Sequence, residues 1–296
     1  FAADWSTGAG FTSKDAIIGA PARETPGEWG GPITPFSPPY LLEQILSIGQ
    51  GGKVTLKFAR PIRDEPLNPF GLDFIVFGGA GFTITNGDFS GGGITDGTLF
   101  GRADGETRLS VSADGEAWFV LDPKQAPTFD AYHPTDGAGD FALPVNPALA
   151  KGDFDGGGLG KFTELYAGSG GGTGYDIAWA VDINSKPAAI GQVQFIRLEV
   201  LSGKAEVDAV SDVRPQTSDL AWHIEDFSSD PLANGWVVHG DESLFKWDAA
   251  AGSLAVTWDS ERPNSMFYRP LGLTLTEGDA FAFAFDIVLD EVKAGH

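Results

Sequence analysis

The sequence predicts an all-β protein, a first β domain followed by a second, incomplete one. Three observations carry this expectation. Glycine (41 residues) and proline (19) are abundant while methionine occurs once, a composition of many turns between apolar runs and not of helical bundles. Apolar residues alternate over short stretches, as in KVTLKFAR (53–60), where Val54, Leu56 and Phe58 share one face and Thr55 and Lys57 the other. Turn dipeptides punctuate these stretches, most plainly Asp114-Gly115 inside LSVSADGEAWFVLDP (109–123).

Taken in order, residues 1–46 read as loop, because Pro21, Pro26, Pro32, Pro35, Pro38 and Pro39 forbid a continuous helix or central strand; LLEQIL (41–46) is the one helical turn expected there. KVTLKFAR is a half-buried strand, and DFIVFG (73–78) is apolar enough to lie centrally in a sheet. Residues 79–106 read as a long glycine-rich loop, followed by a hairpin with strands near 107–112 and 117–121. Residues 122–174 are irregular apart from a short helix at KFTELYAG (161–168), and a stretch of that length points to function or to ion stabilisation. YDIAWAV (175–181), VQFIRLEVL (193–201) and AEVDAVSDV (205–213) restore the strand rhythm.

A first domain over 1–214 is followed by a linker, 215–219, and a second β domain over 220–296. The second domain carries GWVVHG, SLFKWD, GSLAVTWDS, SMFYRPLGLTL and AFAFAFDIVLD. In the last run Phe281, Phe283, Phe285, Ile287 and Leu289 share one face, which must be covered. About 77 residues fall short of the hundred or so of a two-sheet sandwich. Either the sequence is truncated relative to its gene or another chain completes the sheet by strand addition.

Composition narrows the function classes. There is no cysteine, so disulfides, thiolate metal sites and cysteine nucleophiles are excluded. The net charge of -22 disfavours nucleic acid and anionic lipid as partners and favours divalent cations, the more so because 27 of the 41 acidic residues are aspartate. No apolar run approaches the roughly eighteen residues of a membrane span. A first residue other than Met suggests a mature extracellular or cell-surface chain after signal-peptide removal.

The order DAIIGAP (15–21), SIGQGGKVTLKFARPI (47–62), LDFIVFG (72–78), TRLSVSADGEAWFVL (107–121) and VQFIRLEVLSGKAEVDAVSDV (193–213) resembles the galactose-binding-like, discoidin-type jelly roll over about 200 residues. That family repeats an S-x-D-G-x-x-W hairpin and an R-[FY]-[IV]-R-[IL] strand. With GSGGGTGYDIA (168–178), the match also looks like secreted surface proteins of planctomycete-type bacteria. EDFSSDPLANGWVVHGD (225–241) resembles the opening of a concanavalin- or laminin-G-like sandwich. In the hairpin, Trp118 would either plug the core or sit beside the turn, the core being the commoner place for a strand tryptophan.

The resemblance implies a structural calcium. Glu206 and Asp208 in the closing strand, with Asp212 on the same side, would be joined by Asp73 and Asp176, since calcium takes six to eight oxygens. DFDGGGLGKFTE (153–164) places Asp153, Asp155, Gly158 and Glu164 at EF-hand positions 1, 3, 6 and 12, but Gly157 and Gly160 break the pattern and no helix precedes it. Trp29 in GEWGG and Tyr132 in AYHP are candidate sugar-stacking rings, or else loop anchors. Glu206-Val207-Asp208 begins the paired-carboxylate motif of sandwich glycosidases, but Ser211 stands where the second glutamate belongs. No G-x-S-x-G elbow occurs, the four histidines are scattered, and GSGGGTG lacks the lysine of a phosphate loop. The reading is a non-catalytic, secreted or cell-surface protein, calcium-stabilised, that binds extracellular glycan. Its rivals are a structural subunit pairing with neighbouring copies of itself in a layer, tube or filament, and a glycoside hydrolase.

Overall fold

The computed structural model describes residues 2–4, 11–28, 30–214, 225–259, 261–262 and 264–270. The chain is all-β and divides into two compact units, Phe1–Gln216 and Thr217–His296. Among the described residues no helix is long and apolar enough to cross a membrane.

The first unit is a sandwich. One layer is a six-stranded antiparallel sheet in the order Ala2–Asp4, Lys53–Arg63, Gln192–Val200, Thr107–Ser112, Phe119–Leu121, Ala180–Val181. Its central strand aligns apolar side chains in rows: Val54, Leu198 and Leu109 lie opposite one another, as do Leu56, Ile196 and Val111. All six are buried in the main core, where each large aliphatic side chain contributes about 1.5–3 kcal/mol of burial. The register slips between Val193 and Phe195, opposite the segment that holds Pro61, which has no N–H to offer the ladder.

The facing layer holds Phe74–Phe77 between Thr173–Tyr175 and Ala209–Asp212, and the pair Leu46–Gly49 with Lys204–Val207. Phe74 and Val76 enter the main core, whereas Ile75 and Phe77 turn the other way onto Phe141 and Val213. Burial on both faces is why this strand carries no polar residue. The segment 205–213, expected as one strand, is two: Lys204–Val207 pairs with Leu46–Gly49, Ala209–Asp212 pairs with Phe74–Phe77, and Asp208 marks the crossing between them. YDIAWAV is likewise divided, with a 3-10 turn at Ile177–Trp179 between short strands, and LLEQIL forms a turn that runs into Leu46–Gly49.

The long segments read as loop are packed, not structureless. Phe82, Val145, Phe154, Phe162 and Tyr166 make a second apolar cluster, with Phe82 stacked on Phe162 at 4.9 Å between ring centroids. The helices Lys151–Phe154 and Leu159–Tyr166 supply three of these rings. An apolar cluster therefore contributes to holding this region. The glycine run lies against the sheet. Gly172 has φ +81, and a Cβ there would strike Ile75 and Phe77, so the position needs glycine on both counts.

The hairpin turn is organised by Asp114, whose Oδ1 accepts the N–H groups of Glu116 (2.8 Å) and Ala117 (2.9 Å). Trp118 sits beside the turn and not in the core: its Nε1 donates to the Gly115 carbonyl at 3.0 Å. The outer face offers the indole both the Gly115 carbonyl and the guanidinium of Arg197.

The described part of the second unit pairs Val237–His239 with Met266–Tyr268 and Phe245–Asp248 with Ser253–Val256. Trp236 stacks on Phe267 at 4.8 Å and donates its Nε1 to Glu225 at 2.7 Å. The apolar face of residues 281–289 lies outside the described residues.

Candidate metal centre and ligand cavity

The strand ladder creates an acidic cluster at one end of Phe74–Phe77. Tyr175 pairs with Phe74, so the residues flanking that pair, Asp73 and Asp176, are set side by side, and the Asp73 N–H donates to the Tyr175 carbonyl at 2.7 Å. Asp64 arrives from the end of Lys53–Arg63, its N–H bound to the Gly191 carbonyl at 3.0 Å. One carboxylate oxygen from each of Asp64, Asp73 and Asp176 lies within 4.8 Å of the others.

Asp73 is fully buried and is the hub. Its Oδ1 accepts from the Glu65 N–H (2.9 Å) and Asn68 Nδ2 (3.1 Å), and its Oδ2 from the Ile177 N–H (2.8 Å). Burial pushes its pKa up to about 7, and the charges of Asp176 and Asp64 add to the rise against the pull of the backbone donors. Asp176 is raised by burial and then by Asp64, and Asp64 by burial and then by Glu65. Three carboxylates this close resist ionising together unless a proton or a cation joins them.

Asn68 adds an independent sign. It is 6% exposed, one side of its amide is spent on Asp73, and its Oδ1 is buried without a hydrogen-bond partner. A buried amide oxygen left unmatched costs about 1–3 kcal/mol unless something fills its lone pairs. The clustered donors are all carboxylate oxygens, which suit a hard divalent cation such as calcium.

Of the four expected metal ligands, the structure unites Asp73 with Asp176 and adds Asp64. Glu206 and Asp208 lie elsewhere, at the opposite end of Phe74–Phe77, about 13 Å away along the strand. Asp208 is 2% exposed; its N–H donates to the Phe77 carbonyl (2.9 Å) and its Oδ2 accepts from the Ala22 N–H (2.9 Å). Glu206 pairs through Oε1 with Lys204 Nζ at 3.0 Å, and its N–H donates to Asp130 Oδ2 at 2.8 Å. The expected ligand set fails because the chain changes sheets at Asp208. In the EF-hand-like loop Asp153 Oδ2 accepts from the Ala150 N–H at 2.8 Å, and Glu164 lies on the helix Leu159–Tyr166.

Of the two rings expected to stack on sugar, Trp29 lies outside the described residues. Tyr132 is half-buried, meets Phe82 edge to face at 6.3 Å and donates its hydroxyl to the Gly97 carbonyl at 2.8 Å, the geometry of a loop anchor.

A cavity of about 310 Å³ opens near Glu206, walled by Phe11, Phe36, Pro38, Tyr40 and Phe100. Gly79 forms its floor: a Cβ there would stand 2.5 Å from Glu206 Oε2 and 3.1 Å from Ile45 Cδ1. The stretch TPFSPPY (34–40), which supplies much of the wall, reads in sequence only as a proline-rich loop. Its concentration of rings and prolines was the available signal. Compared with models of known protein families and with curated proteins, the chain matches none.

Proposed function

We propose that the chain is a non-catalytic module of the cell exterior, stabilised by calcium bound at Asp64, Asp73 and Asp176, that binds extracellular glycan. The observation that carries the reading is the convergence of carboxylate oxygens of Asp64, Asp73 and Asp176 within 4.8 Å of one another, an arrangement that a divalent cation relieves. A calcium ion there would be held by Asp64, Asp73 and Asp176, and would tie the ends of two sheets together. The glycan reading is supported by the resemblance of the strand motifs to discoidin-type domains and by Trp29 in its glycine-rich loop. The non-catalytic reading is supported by the engagement of the buried carboxylates outside the cluster: Asp130 and Asp208 both accept backbone N–H groups, which suits fastening the fold better than proton transfer.

The cation part is tested by thermal unfolding of the full chain in calcium and in excess chelator. Calcium should raise the melting temperature, and both Asp64→Asn and Asp176→Asn should remove the difference; equal melting in both conditions would refute it. The glycan part is tested by retention on immobilised polysaccharides, with Trp29→Ala expected to abolish retention, and binding to none of them refutes it.

A further inference from the structure

We infer that the cavity bounded by Tyr40, Phe100 and Glu206 is a binding site for an alkylated ammonium group, with Glu206 as counter-ion. Its lining is mostly aromatic residues and proline, and its volume of about 310 Å³ is at the small end of small-molecule sites. Glu206 brings the carboxylate. Its Oε1 is committed to Lys204, while Oε2 lies over the floor at Gly79, in space that any other residue at 79 would occupy.

The chemistry discriminates among ligands. A neutral sugar needs several convergent donors and acceptors, and apart from the carboxylate the side chains of the lining offer only the hydroxyls of Ser37 and Tyr40. A bare metal ion would exchange its water shell for hydrocarbon and one carboxylate, far short of six oxygens. A guanidinium would bring five N–H donors against one uncommitted carboxylate oxygen and the hydroxyls of Ser37 and Tyr40, and a primary ammonium would have to reach all three at once. A quaternary ammonium has no N–H. Its charge is spread over methyl groups that pack on aromatic faces, and the attraction strengthens as water is excluded. The net charge of -22 favours arrival of a cation. Tyr40 and Phe100 are 48% and 47% exposed, which leaves ring surface at the mouth for the incoming group.

Titration calorimetry on the full chain tests this with choline and with 3,3-dimethylbutan-1-ol, its uncharged carbon isostere. Choline should bind about tenfold more tightly than the isostere. Glu206→Gln should erase that preference, and Gly79→Ala or the double change Tyr40→Ala, Phe100→Ala should abolish binding while leaving the circular dichroism spectrum unchanged. Absence of choline binding, equal affinity for the isostere, or unaltered affinity in Glu206→Gln would each overturn the assignment. Sedimentation with phosphatidylcholine vesicles identifies the source: co-sedimentation that free choline competes away marks a lipid headgroup, and choline binding without co-sedimentation marks a soluble ligand. Glu206→Gln serves as the readout for every arm because its shape matches the glutamate.

Discussion

The guanidinium of Arg197 lies 3.7 Å above the ring centroid of Trp118. Arg197 sits on the central strand between Thr55 and Ser110, so the contact fastens the hairpin turn to the middle of the six-stranded sheet. Trp118→Ala should lower stability to chemical denaturation by about 1–2 kcal/mol, since a partly desolvated cation-π contact and the half-buried ring are both lost. Arg197→Lys should recover less than half of what Arg197→Ala loses, because lysine cannot lie flat on the indole. Equal stability of the parent and Arg197→Ala would show the contact to be incidental.

Asp73 and Asp64 should behave differently. Asp73 accepts three N–H donors with two oxygens, and asparagine would turn an NH2 toward one of them. Asp73→Asn should therefore cost about 2–3 kcal/mol even in chelator, whereas Asp64→Asn, which removes repulsion from Asp73 and Asp176, should be stabilising in chelator and costly only when calcium is present. Denaturant titrations of both variants in both conditions check this.

Asp208 sets a pH dependence. Burial pushes its carboxyl up to about 7, opposed by the single N–H of Ala22. Between the ordinary value of 3.8 and about 7 the folded chain holds a proton that the unfolded chain has released. The stability is therefore fully present at low pH and is lost as pH rises through that window. Asp208→Asn keeps an acceptor for Ala22 and removes the titration. Its stability relative to the parent should grow from pH 4 to pH 7, by about 4 kcal/mol at most. His133, lowered by burial to about 4, works the other way, losing stability as pH falls from 6.5 through 4, and cancels in this comparison.

Phe162 should be the most costly single truncation in the aromatic cluster. It is fully buried and touches Phe36 (5.0 Å) and Phe82 (4.9 Å) by ring centroids. Phe162→Ala should cost about 3–5 kcal/mol, and Phe162→Leu much less. If Phe162→Ala melts with the parent, the helical segment is not part of the cooperative fold.

The strands were legible where the chain keeps the same pairing strands along its length. Lys53–Arg63, Phe74–Phe77, Thr107–Ser112 and Gln192–Val200 follow from their own side chains. At 205–213 the alternation of Ala205, Val207 and Ala209 continues unbroken although the pairing strand changes, so periodicity could not reveal the crossing, and Glu206 and Asp208 were grouped with residues they do not meet. Asp73 and Asp176 could be matched because each adjoins a recognisable strand. Asp64 could not, because the strand read from the sequence stops at Arg60, before Pro61, whereas the strand runs on to Arg63 and delivers Asp64 to the cluster. The aromatic cluster was hidden for a related reason: Phe82, Phe154 and Phe162 sit on short segments without a period.

The crossing at Asp208 has a mechanical side. Within Lys204–Asp212 the chain is laced first to Leu46–Gly49 and then to Phe74–Phe77. Hydrogen bonds between strands run across the chain direction, so a pull on the carboxy-terminal side of Val213 would load both ladders in shear and could not peel them bond by bond. A body anchored from that side would bear tension through its most deeply buried strands.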